Sequence, residues 1–448
     1  AMPIVRGALS YEALGKRTRF VGDWRGDEDL LAFSLHPDCE RLLSMGPLTP
    51  DHVIRTKGRY QTLTPEPACD PEQCRKAVAD YASWYRSYFQ ENAGRVTLPD
   101  GSAPTMLDPH PRVVVVGGCG ILAFGADRKA AQVAGDIAEH TLRSKALAEA
   151  VGDYTELPPP ELFEMEYWSL EQAKLGKKKP PLLAGQVALI TGAGGAIGRG
   201  IVDALLGAGA HVLLTDVNEQ ALGEAGEQLA KRHGGRNLRG AVLDVTNPNS
   251  VADAFRVCSR HFGGVDIVVP NAGIAHVSKL QEMDPEAFKK VIDVNLFGTM
   301  TVLKEAAKMF EAQGTGGAVI VQASKNVFAP GVAFGAYSAS KAGAHQLGKI
   351  AAMELAPLGV RVNMINADAV FGDERKSGLW EEVGPDRMKS RGLDEEGLRD
   401  YYRKRSLLGI EVTPAHVGEA VVFLAAGFGA TTGATLTVDG GVAGAFPR

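Results

Sequence analysis

The sequence predicts an α/β protein with a doubly wound parallel sheet, preceded by a smaller N-terminal α/β domain. The main observation is that strand-sized apolar runs alternate with helical patterns from residue 187 onward. This alternation is typical of a parallel sheet with crossover helices on both faces. A length of 448 residues also exceeds one typical hydrophobic core. We therefore expect domains over residues 1–176 and 185–448, joined by a linker at 177–184.

The linker prediction depends on a change in composition. A predicted helix over residues 161–173 runs into Leu175-Gly176-Lys177-Lys178-Lys179-Pro180-Pro181. Proline cannot continue a helix and biases the preceding residue toward extended geometry. A solvated linker follows from this pattern, although the lysines could instead contact a phosphate or an acidic partner.

The predicted elements follow from hydrophobic periodicity. In the second domain the predicted strands are 187–191, 211–215, 239–243, 265–270, 318–322, 361–365 and 435–438, and the predicted helices are 197–206, 218–231, 250–262, 285–312, 336–356 and 416–425. In the first domain the predicted strands are 30–33 and 113–116, and the predicted helices are 71–91 and 127–150, besides 161–173.

Charge and hydropathy exclude several classes of partner. The chain has 48 basic and 53 acidic residues, with a net charge of -5 and no long basic run, so we expect no nucleic-acid partner. Its apolar stretches are too short to span a bilayer, so we expect no membrane association. The start of the chain lacks the pattern of a signal peptide, which favours a cytoplasmic protein.

The five cysteines are scattered and odd in number, which fits a reducing compartment. Cys69 and Cys74 do not have zinc-site spacing, and no second pair follows. We therefore expect no metal site.

A glycine-rich turn follows the first strand of the second domain. It reads Thr191-Gly192-Ala193-Gly194-Gly195-Ala196-Ile197-Gly198 and opens a helix. Glycine permits the tight turn and lets backbone amides approach a pyrophosphate at the helix N-terminus. A plain glycine turn would explain the motif alone, but its context is that of a Rossmann-type dinucleotide site. The predicted cofactor contacts here are Gly192, Gly194, Gly195, Ala196, Ile197 and Gly198.

An acidic residue, Asp216, ends the second strand of this domain. At this position a carboxylate can accept hydrogen bonds from the adenosine ribose hydroxyls and repel a 2′-phosphate. Val217 and Asn218 follow, with no arginine to receive that phosphate. The sequence therefore favours NAD over NADP, unless Asp216 only caps the next helix.

Tyr337 and Lys341 are four residues apart on a predicted helix, so they lie on one face about one turn apart. The lysine charge is expected to favour the phenolate and make Tyr337 a usable base near neutral pH. Ser324, thirteen positions upstream of Tyr337, is a candidate donor to a substrate oxygen.

Together these motifs resemble the short-chain dehydrogenase/reductase family over about residues 185–448. The resemblance implies that Asn295, Ser324, Tyr337 and Lys341 form the catalytic site, with Asn295 connecting Lys341 to bulk water. Tyr337 would exchange the hydroxyl proton, and Lys341 would also bind the nicotinamide ribose. The resemblance implies further cofactor contacts at Asp244, Val245, Asn271, Ala272, Gly273 and Val370.

The sequence departs from the family pattern after the strand at 361–365, where it reads Asn366-Ala367-Asp368-Ala369-Val370-Phe371-Gly372. Asp368 is either a buried loop residue or a contact for a polyol hydroxyl. A charged insertion over residues 372–409 follows at the position of a substrate lid. Its basic residues could contact a phosphate or carboxylate, or lie on solvated helix faces: Arg375, Lys376, Arg387 and Arg391.

Other segments narrow the resemblance to bifunctional class II aldolase/short-chain dehydrogenase proteins of the rhamnulose-phosphate aldolase/alcohol dehydrogenase type. These include Ala323-Ser324-Lys325-Asn326-Val327 in the second domain and Pro50-Asp51-His52-Val53-Ile54-Arg55-Thr56-Lys57 in the first. The zinc-binding histidines of such aldolases have no counterpart here, so we expect a shortened relative without aldol cleavage. In Gly117-Gly118-Cys119-Gly120 a second nucleotide site is conceivable, but a simple turn is the stronger interpretation.

We therefore expect an NAD-dependent dehydrogenase that interconverts an alcohol and a carbonyl on a small hydroxylated substrate. The resemblance suggests lactaldehyde or a sugar-derived alcohol, and a homo-oligomer of two or four subunits. Two alternatives stay open. One is a carbonyl reductase of ketoacyl or keto-sugar compounds, and the other is a scaffold that binds nucleotide without chemistry.

Overall fold

The computed structural model describes residues 1–13, 16–175, 179–372 and 378–446. The chain divides into two compact units. The first consists of Ala1–Gly185, Ser259–Gly264 and Ala312–Gly314, and the second of Gln186–Cys258, Val265–Glu311 and Thr315–Arg448. Of the predicted linker 177–184, residues 177 and 178 lie outside the described residues, as does residue 176 before it.

The N-terminal part of the chain forms an α/β unit. Its strands are β1 (Tyr11–Ala13), β2 (Lys16–Thr18), β3 (Val21–Arg25), β4 (Gln61–Leu63), β5 (Val113–Val116) and β6 (Gly120–Gly125). Its helices are α1 (Met2–Leu9), α2 (Glu28–Ser34), α3 (Cys39–Ser44), α4 (Val53–Thr56), α5 (Pro65–Cys69), α6 (Pro71–Asn92), α7 (Arg128–Val151), α8 (Pro159–Glu166) and α9 (Ser169–Ala173).

The central strand of this unit, β5, is buried on both faces. In the described chain it belongs to a four-stranded sheet of order β3-β6-β5-β4, in which only β4 and β5 are parallel. Val114 and Val116 join one apolar cluster, which includes residues of α1 and α6. Val113 and Val115 face the opposite cluster, which includes residues of α7. Successive strand residues point to opposite faces, so the run of four valines supplies both cores.

Two element predictions for the first domain are wrong. Residues 30–33 lie in α2, not in a strand, because Asp27 caps the helix by accepting from the Leu30 N–H at 3.0 Å. A short apolar run has no periodicity that distinguishes the two structures. The helix predicted over 161–173 is broken into α8 and α9 at Trp168, whose backbone is extended. The break follows Tyr167, which is buried among Tyr85 and Phe163.

From residue 187 onward, strands and helices alternate. The strands are β7 (Val187–Thr191), β8 (His211–Asp216), β9 (Leu238–Val242), β10 (Ile267–Val269), β11 (Gly317–Gln322), β12 (Val360–Ala367) and β13 (Thr435–Val438). The helices are α10 (Ala196–Gly207), α11 (Glu219–His233), α12 (Pro248–Phe262), α13 (Pro285–Ile292), α14 (Gly298–Gln313), α15 (Gly335–Leu355), α16 (Gly378–Arg391), α17 (Glu395–Arg405) and α18 (Pro414–Ala426).

In the described residues these strands form one seven-stranded parallel sheet of order β13-β12-β11-β10-β7-β8-β9. The chain moves outward from β7 to β9, then returns to the other side of β7 with β10 and continues to β13. The direction therefore reverses between β7 and β10. In doubly wound sheets ligands bind at such a switch point, beyond the carboxyl ends of the strands. The predicted fold class is confirmed.

The helix predicted over 285–312 differs in one detail. Between α13 and α14, residues Asp293–Phe297 form a π-helical turn. Such turns are rare and occur frequently at functional sites. In the described residues no helix is both long and apolar enough to cross a bilayer.

Candidate active site

The glycine-rich loop leaves β7 at the switch point and leads into α10. Gly192 has a φ of 65°, and a Cβ there would lie 2.8 Å from the Ala272 Cα. A Cβ on Gly194 would lie 3.0 Å from the Asp216 Oδ2. Gly195 precedes the first turn of α10, to which Ala196, Ile197 and Gly198 belong. Only glycine fits at position 192, because both the positive φ and the nearby Ala272 backbone exclude a side chain.

The loop after β10 is tied to the glycine-rich loop. The Asn271 side chain donates to the carbonyl oxygens of Thr191 at 2.8 Å and Gly192 at 3.0 Å. In return the Thr191 hydroxyl accepts from the backbone N–H groups of Asn271 and Ala272, both at 3.0 Å. These bonds hold the two sides of the switch-point crevice together. They place Asn271 and Ala272 beside the predicted pyrophosphate site.

Asp216 ends β8 with both carboxylate oxygens turned to backbone amides. Its Oδ2 accepts from the Gly194 N–H and its Oδ1 from the Asn218 N–H, each at 2.9 Å. A carboxylate oxygen has a second lone pair, so these bonds leave capacity for further donors. Asp216 therefore supports the glycine-rich loop whatever else it binds.

Asp244 and Val245 follow β9 at the same edge of the sheet. The Asp244 Oδ1 accepts from the backbone and hydroxyl of Thr246, at 2.9 and 2.7 Å. Val245 is buried, and its side chain packs so closely on Gly298 that a Cβ there would lie 2.6 Å away. The pair forms a fixed wall at the end of the crevice.

Asn295 lies in the π-helical turn and is fully buried. Its Oδ1 accepts from the Ile274 N–H at 2.8 Å, and its Nδ2 donates to the Ile274 carbonyl at 2.9 Å. The same Nδ2 also donates to the Ser340 hydroxyl at 2.9 Å, which donates to the Tyr337 carbonyl at 2.8 Å. The amide thus joins the loop after β10 to the first turns of α15. Its side chain therefore positions the site, and the connection of Lys341 to bulk water through Asn295 stays a prediction.

Tyr337, Lys341 and Ser324 meet at the carboxyl edge of β11. Tyr337 and Lys341 are on α15, with the lysine Nζ 6.0 Å from the phenol ring centroid. The Lys341 ammonium donates to the Gln322 carbonyl at 2.8 Å. A Cβ on Gly273 would lie 3.2 Å from the same nitrogen, so the loop after β10 passes directly beside it. Ser324 is buried two residues after β11 ends.

Burial sets the pKa values of this pair. Burial raises the pKa of Tyr337, and a side-chain hydrogen bond with Ser324 opposes this effect. Burial lowers the pKa of Lys341 to about 8. Burial therefore disfavours the charged form of both groups, and the lowering of the phenol pKa by Lys341 stays a prediction.

The segment after β12 is held by aromatic and ionic contacts. Ala369 has a φ of 48°, which is unusual for a residue with a side chain. The next residue, Val370, is buried, and its carbonyl accepts from the Trp380 indole at 3.2 Å. Asp368 forms an ion pair with Arg405. Asp368 is therefore a half-buried loop residue that pairs within the chain, and the predicted contact with a polyol hydroxyl stays a prediction.

The charged insertion contributes α16 and α17, with Arg375 and Lys376 lying outside the described residues. A cavity of about 240 Å³ is enclosed mainly by these helices. Its lining comprises Phe371, Gly372, Trp380, Glu381, Gly384, Pro385, Met388, Glu395, Leu398 and Arg399. Among the described residues this lining includes no member of the candidate catalytic set.

In the first unit, Gly117–Cys119 form the turn of an antiparallel hairpin between β5 and β6. A strand and not a helix follows the turn, so this segment lacks the geometry of a dinucleotide site. Within the described ranges, no group of three or more His, Cys, Asp or Glu side chains could hold a metal ion.

Some contacts of the site were not foreseen from the sequence. The Gln322 carbonyl is the partner of Lys341, and the Ser340 hydroxyl links Asn295 to α15. A backbone carbonyl leaves no sequence signal. Ser340, directly before Lys341, could have been considered from its position alone.

Two family models match the chain. Residues 1–175 match the model described as aldolase class II, second domain, and residues 186–377 match short chain dehydrogenase. The uncharacterized oxidoreductase YuxG of Bacillus subtilis is 30% identical over 457 residues, covering 100% of this chain. The chain spans 64% of the length of that relative. The alignment with this relative therefore runs through both segments of our chain, the aldolase class II segment and the short chain dehydrogenase segment.

Other relatives match the second unit. The 3beta-hydroxysteroid dehydrogenase 2 of Eggerthella lenta is 35% identical over 268 residues, which are 58% of this chain and 96% of that protein. The crystal structure of sorbitol-6-phosphate 2-dehydrogenase from Erwinia amylovora aligns with a TM-score of 0.52 and 26% identity, over 57% of this chain and 98% of that one. The chain therefore belongs to the short-chain dehydrogenase/reductase family of oxidoreductases, with a class II aldolase-type domain preceding the dehydrogenase domain.

Proposed function

We propose that this protein is an NAD-dependent oxidoreductase that interconverts an alcohol and a carbonyl on a small hydroxylated substrate. The observation that carries the proposal is the meeting of Ser324, Tyr337 and Lys341 beside the Gly273 loop, at the switch point of the sheet. Structural packing alone does not require a phenol, a hydroxyl and a buried ammonium at one ligand crevice.

The family implies a nicotinamide nucleotide, and the residues present fit one. Backbone positions with little or no room for a side chain border the crevice at Gly192, Gly194 and Gly273. Such positions let a diphosphate approach the backbone amides at the start of α10. Asp216 and the exposed Val217 beside it supply a negative charge and no cation, which supports NAD over NADP. When bound, the nicotinamide supplies the hydride acceptor or donor.

The proton chemistry falls to the chain's own side chains. Tyr337 takes the hydroxyl proton of an alcohol or returns one to a carbonyl. Ser324 donates to the substrate oxygen, which orients it and stabilises developing negative charge. Lys341 binds the ribose next to the nicotinamide, and Asn295 holds the π-helical turn against α15. The substrate class we propose is a lactaldehyde-like or sugar-derived alcohol, which the sorbitol-6-phosphate dehydrogenase relative supports.

The proposal is tested by a turnover screen on the full chain. Small aldehydes, polyols and sugar phosphates are offered with NAD, NADH, NADP or NADPH, and the absorbance of the reduced nicotinamide is followed. We expect turnover of at least one hydroxylated compound, faster with NAD than with NADP. Absence of turnover across the panel in both directions, with NAD binding intact, would count against catalysis and favour a nucleotide-binding scaffold.

A further inference from the structure

Three positively charged side chains come together close to the catalytic residues. Lys325 follows Ser324 in a short 3-10 turn, Arg387 lies on α16, and Arg405 ends α17. Burial, followed by the nearby charges of Arg405 and Arg387, lowers the pKa of Lys325 to about 8. The three cations are therefore near enough to repel one another. Such an arrangement costs free energy unless anions compensate it.

Across the described residues, carboxylates compensate only one of these cations. Arg405 pairs with Asp368, and Asp439 also acts on it. Lys325 donates to the Ala329 carbonyl at 2.9 Å, which leaves its charge unbalanced. Among the residues that the structure describes, neither Lys325 nor Arg387 has a carboxylate partner.

Arg387 is separated from Tyr337 by a single aromatic ring. Its guanidinium carbon lies 5.0 Å from the centroid of the Phe334 ring. The Phe334 ring lies 6.1 Å from the Tyr337 ring, centroid to centroid. Arg387 is half-buried and Phe334 is buried. A guanidinium with no carboxylate partner in the described part of the chain thus lies one ring away from the proposed proton donor.

We propose that Lys325 and Arg387 bind an anionic group of the substrate, a phosphate or a carboxylate, at the end away from the reacting carbon. The proposal rests on the proposed function and narrows its substrate class to hydroxylated acids or phosphate esters. A guanidinium can donate two parallel hydrogen bonds to such a group, and an ammonium adds a point charge. Arg405 stays in its ion pair with Asp368, and its role at the site is structural.

The first test compares substrates that differ in charge. Sorbitol is paired with sorbitol 6-phosphate, and butane-1,3-diol with 3-hydroxybutyrate, and kcat/KM is measured for the full chain with NAD. We expect the charged member of at least one pair to be preferred by about tenfold or more, since a hydrogen bond to a charged group contributes about 1.5–3 kcal/mol. The preferred pair distinguishes a phosphate from a carboxylate.

The second test assigns the preference to the two side chains. Arg387→Met keeps most of the apolar contact with Phe334, and Lys325→Gln keeps a donor for the Ala329 carbonyl. Each is expected to raise KM for the charged substrate by about 10- to 100-fold, with kcat much less affected and the neutral substrate unchanged. Arg391→Met is the matched control, because Arg391 is on the same helix, is half-buried and lies 4.7 Å from the Tyr401 ring centroid. It should change neither substrate.

A third measurement does not depend on turnover. Calorimetry follows the binding of inorganic phosphate, and separately of acetate, to the full chain with NAD. We expect one of these anions to bind and Arg387→Met to weaken it. Equal use of charged and neutral substrates, or anion binding that is absent or unchanged in Arg387→Met, overturns this inference and leaves the proposed function standing. No turnover of any substrate, with anion binding lost in Arg387→Met, overturns the proposed function and supports the anion site.

Discussion

At the residue scale, the site depends on where the backbone comes close as much as on the reactive side chains. A Cβ at Gly273 would lie 3.2 Å from both the Asn295 Oδ1 and the Lys341 Nζ. A Cβ at that distance would force one of these neighbours to move, and both are held by hydrogen bonds. The glycine therefore fixes how near the loop after β10 can approach α15.

Asp216 carries a prediction about cofactor choice. Asp216→Asn keeps an acceptor for one loop amide but removes the charge that repels a 2′-phosphate. We expect the ratio of kcat/KM for NAD over NADP to fall by about tenfold or more, corresponding to about 1.4 kcal/mol. Initial rates with both cofactors measure it. A ratio equal to that of the unmodified chain would show that Asp216 only supports the glycine-rich loop.

The four candidate catalytic residues could be named from sequence because three of them have short, fixed spacings. Tyr337 and Lys341 are one helical turn apart, and Ser324 is thirteen positions before Tyr337. Their titration could not be foreseen. The pKa of Lys341 depends on its burial beneath the Gly273 loop, and that loop is distant in sequence.

At the scale of elements, the π-helical turn Asp293–Phe297 connects the loop after β10 to the catalytic helix. It places Asn295 where its amide satisfies both polar groups of Ile274. The turn was not predicted, because the apolar pattern of residues 285–312 has the period of a continuous α-helix. One extra residue in a turn changes the hydrogen-bonding pattern but scarcely changes that period.

Asn295→Ala tests this connection. The change removes the partner of the half-buried N–H and carbonyl of Ile274 and of the buried Ser340 hydroxyl, and an unsatisfied buried group costs about 1–3 kcal/mol. We expect the free energy of unfolding of the second unit to fall by about 2–4 kcal/mol, with lower turnover. Chemical denaturation and initial rates measure the two effects. Asn249→Ala, at an exposed position, is the control and should stay within about 0.5 kcal/mol.

A fall no larger than that of the Asn249→Ala control would contradict the role given to Asn295.

Other elements show the same limit of local patterns. Helix α2 was predicted as a strand because four apolar residues have no decisive period, although its Asp27 cap was readable in the sequence.

At the scale of the whole molecule, the alternation of strands and helices that builds the seven-stranded sheet is readable in the sequence. Each strand and helix of this part has its own hydrophobic pattern, so the fold class followed from local signals. The cation group did not, because Lys325, Arg387 and Arg405 come from three elements that only the fold brings together. From the sequence, Arg387 could be described only as one of several charged residues on a helix.

Tyr337 is the one group to which we assign the exchange of the hydroxyl proton. Burial raises the pKa of Tyr337, so the phenolate is scarce at neutral pH and its fraction grows as the pH increases. Alcohol oxidation should therefore accelerate from neutral toward alkaline pH. Carbonyl reduction needs the protonated phenol and should not gain over that range. The two directions therefore respond differently to one ionisation.

The most direct measurement is the single-turnover rate of alcohol oxidation in Tyr337→Phe and in the unmodified chain, across this pH range. NAD binding is measured in parallel, and a substrate found by the turnover screen is used. We predict that the variant binds NAD normally, that its rate falls by about 10²- to 10⁴-fold, the usual contribution of general acid–base catalysis, and that its rise with pH disappears. A variant that keeps both its rate and its pH dependence would contradict the assignment of Tyr337 as the proton-exchanging group.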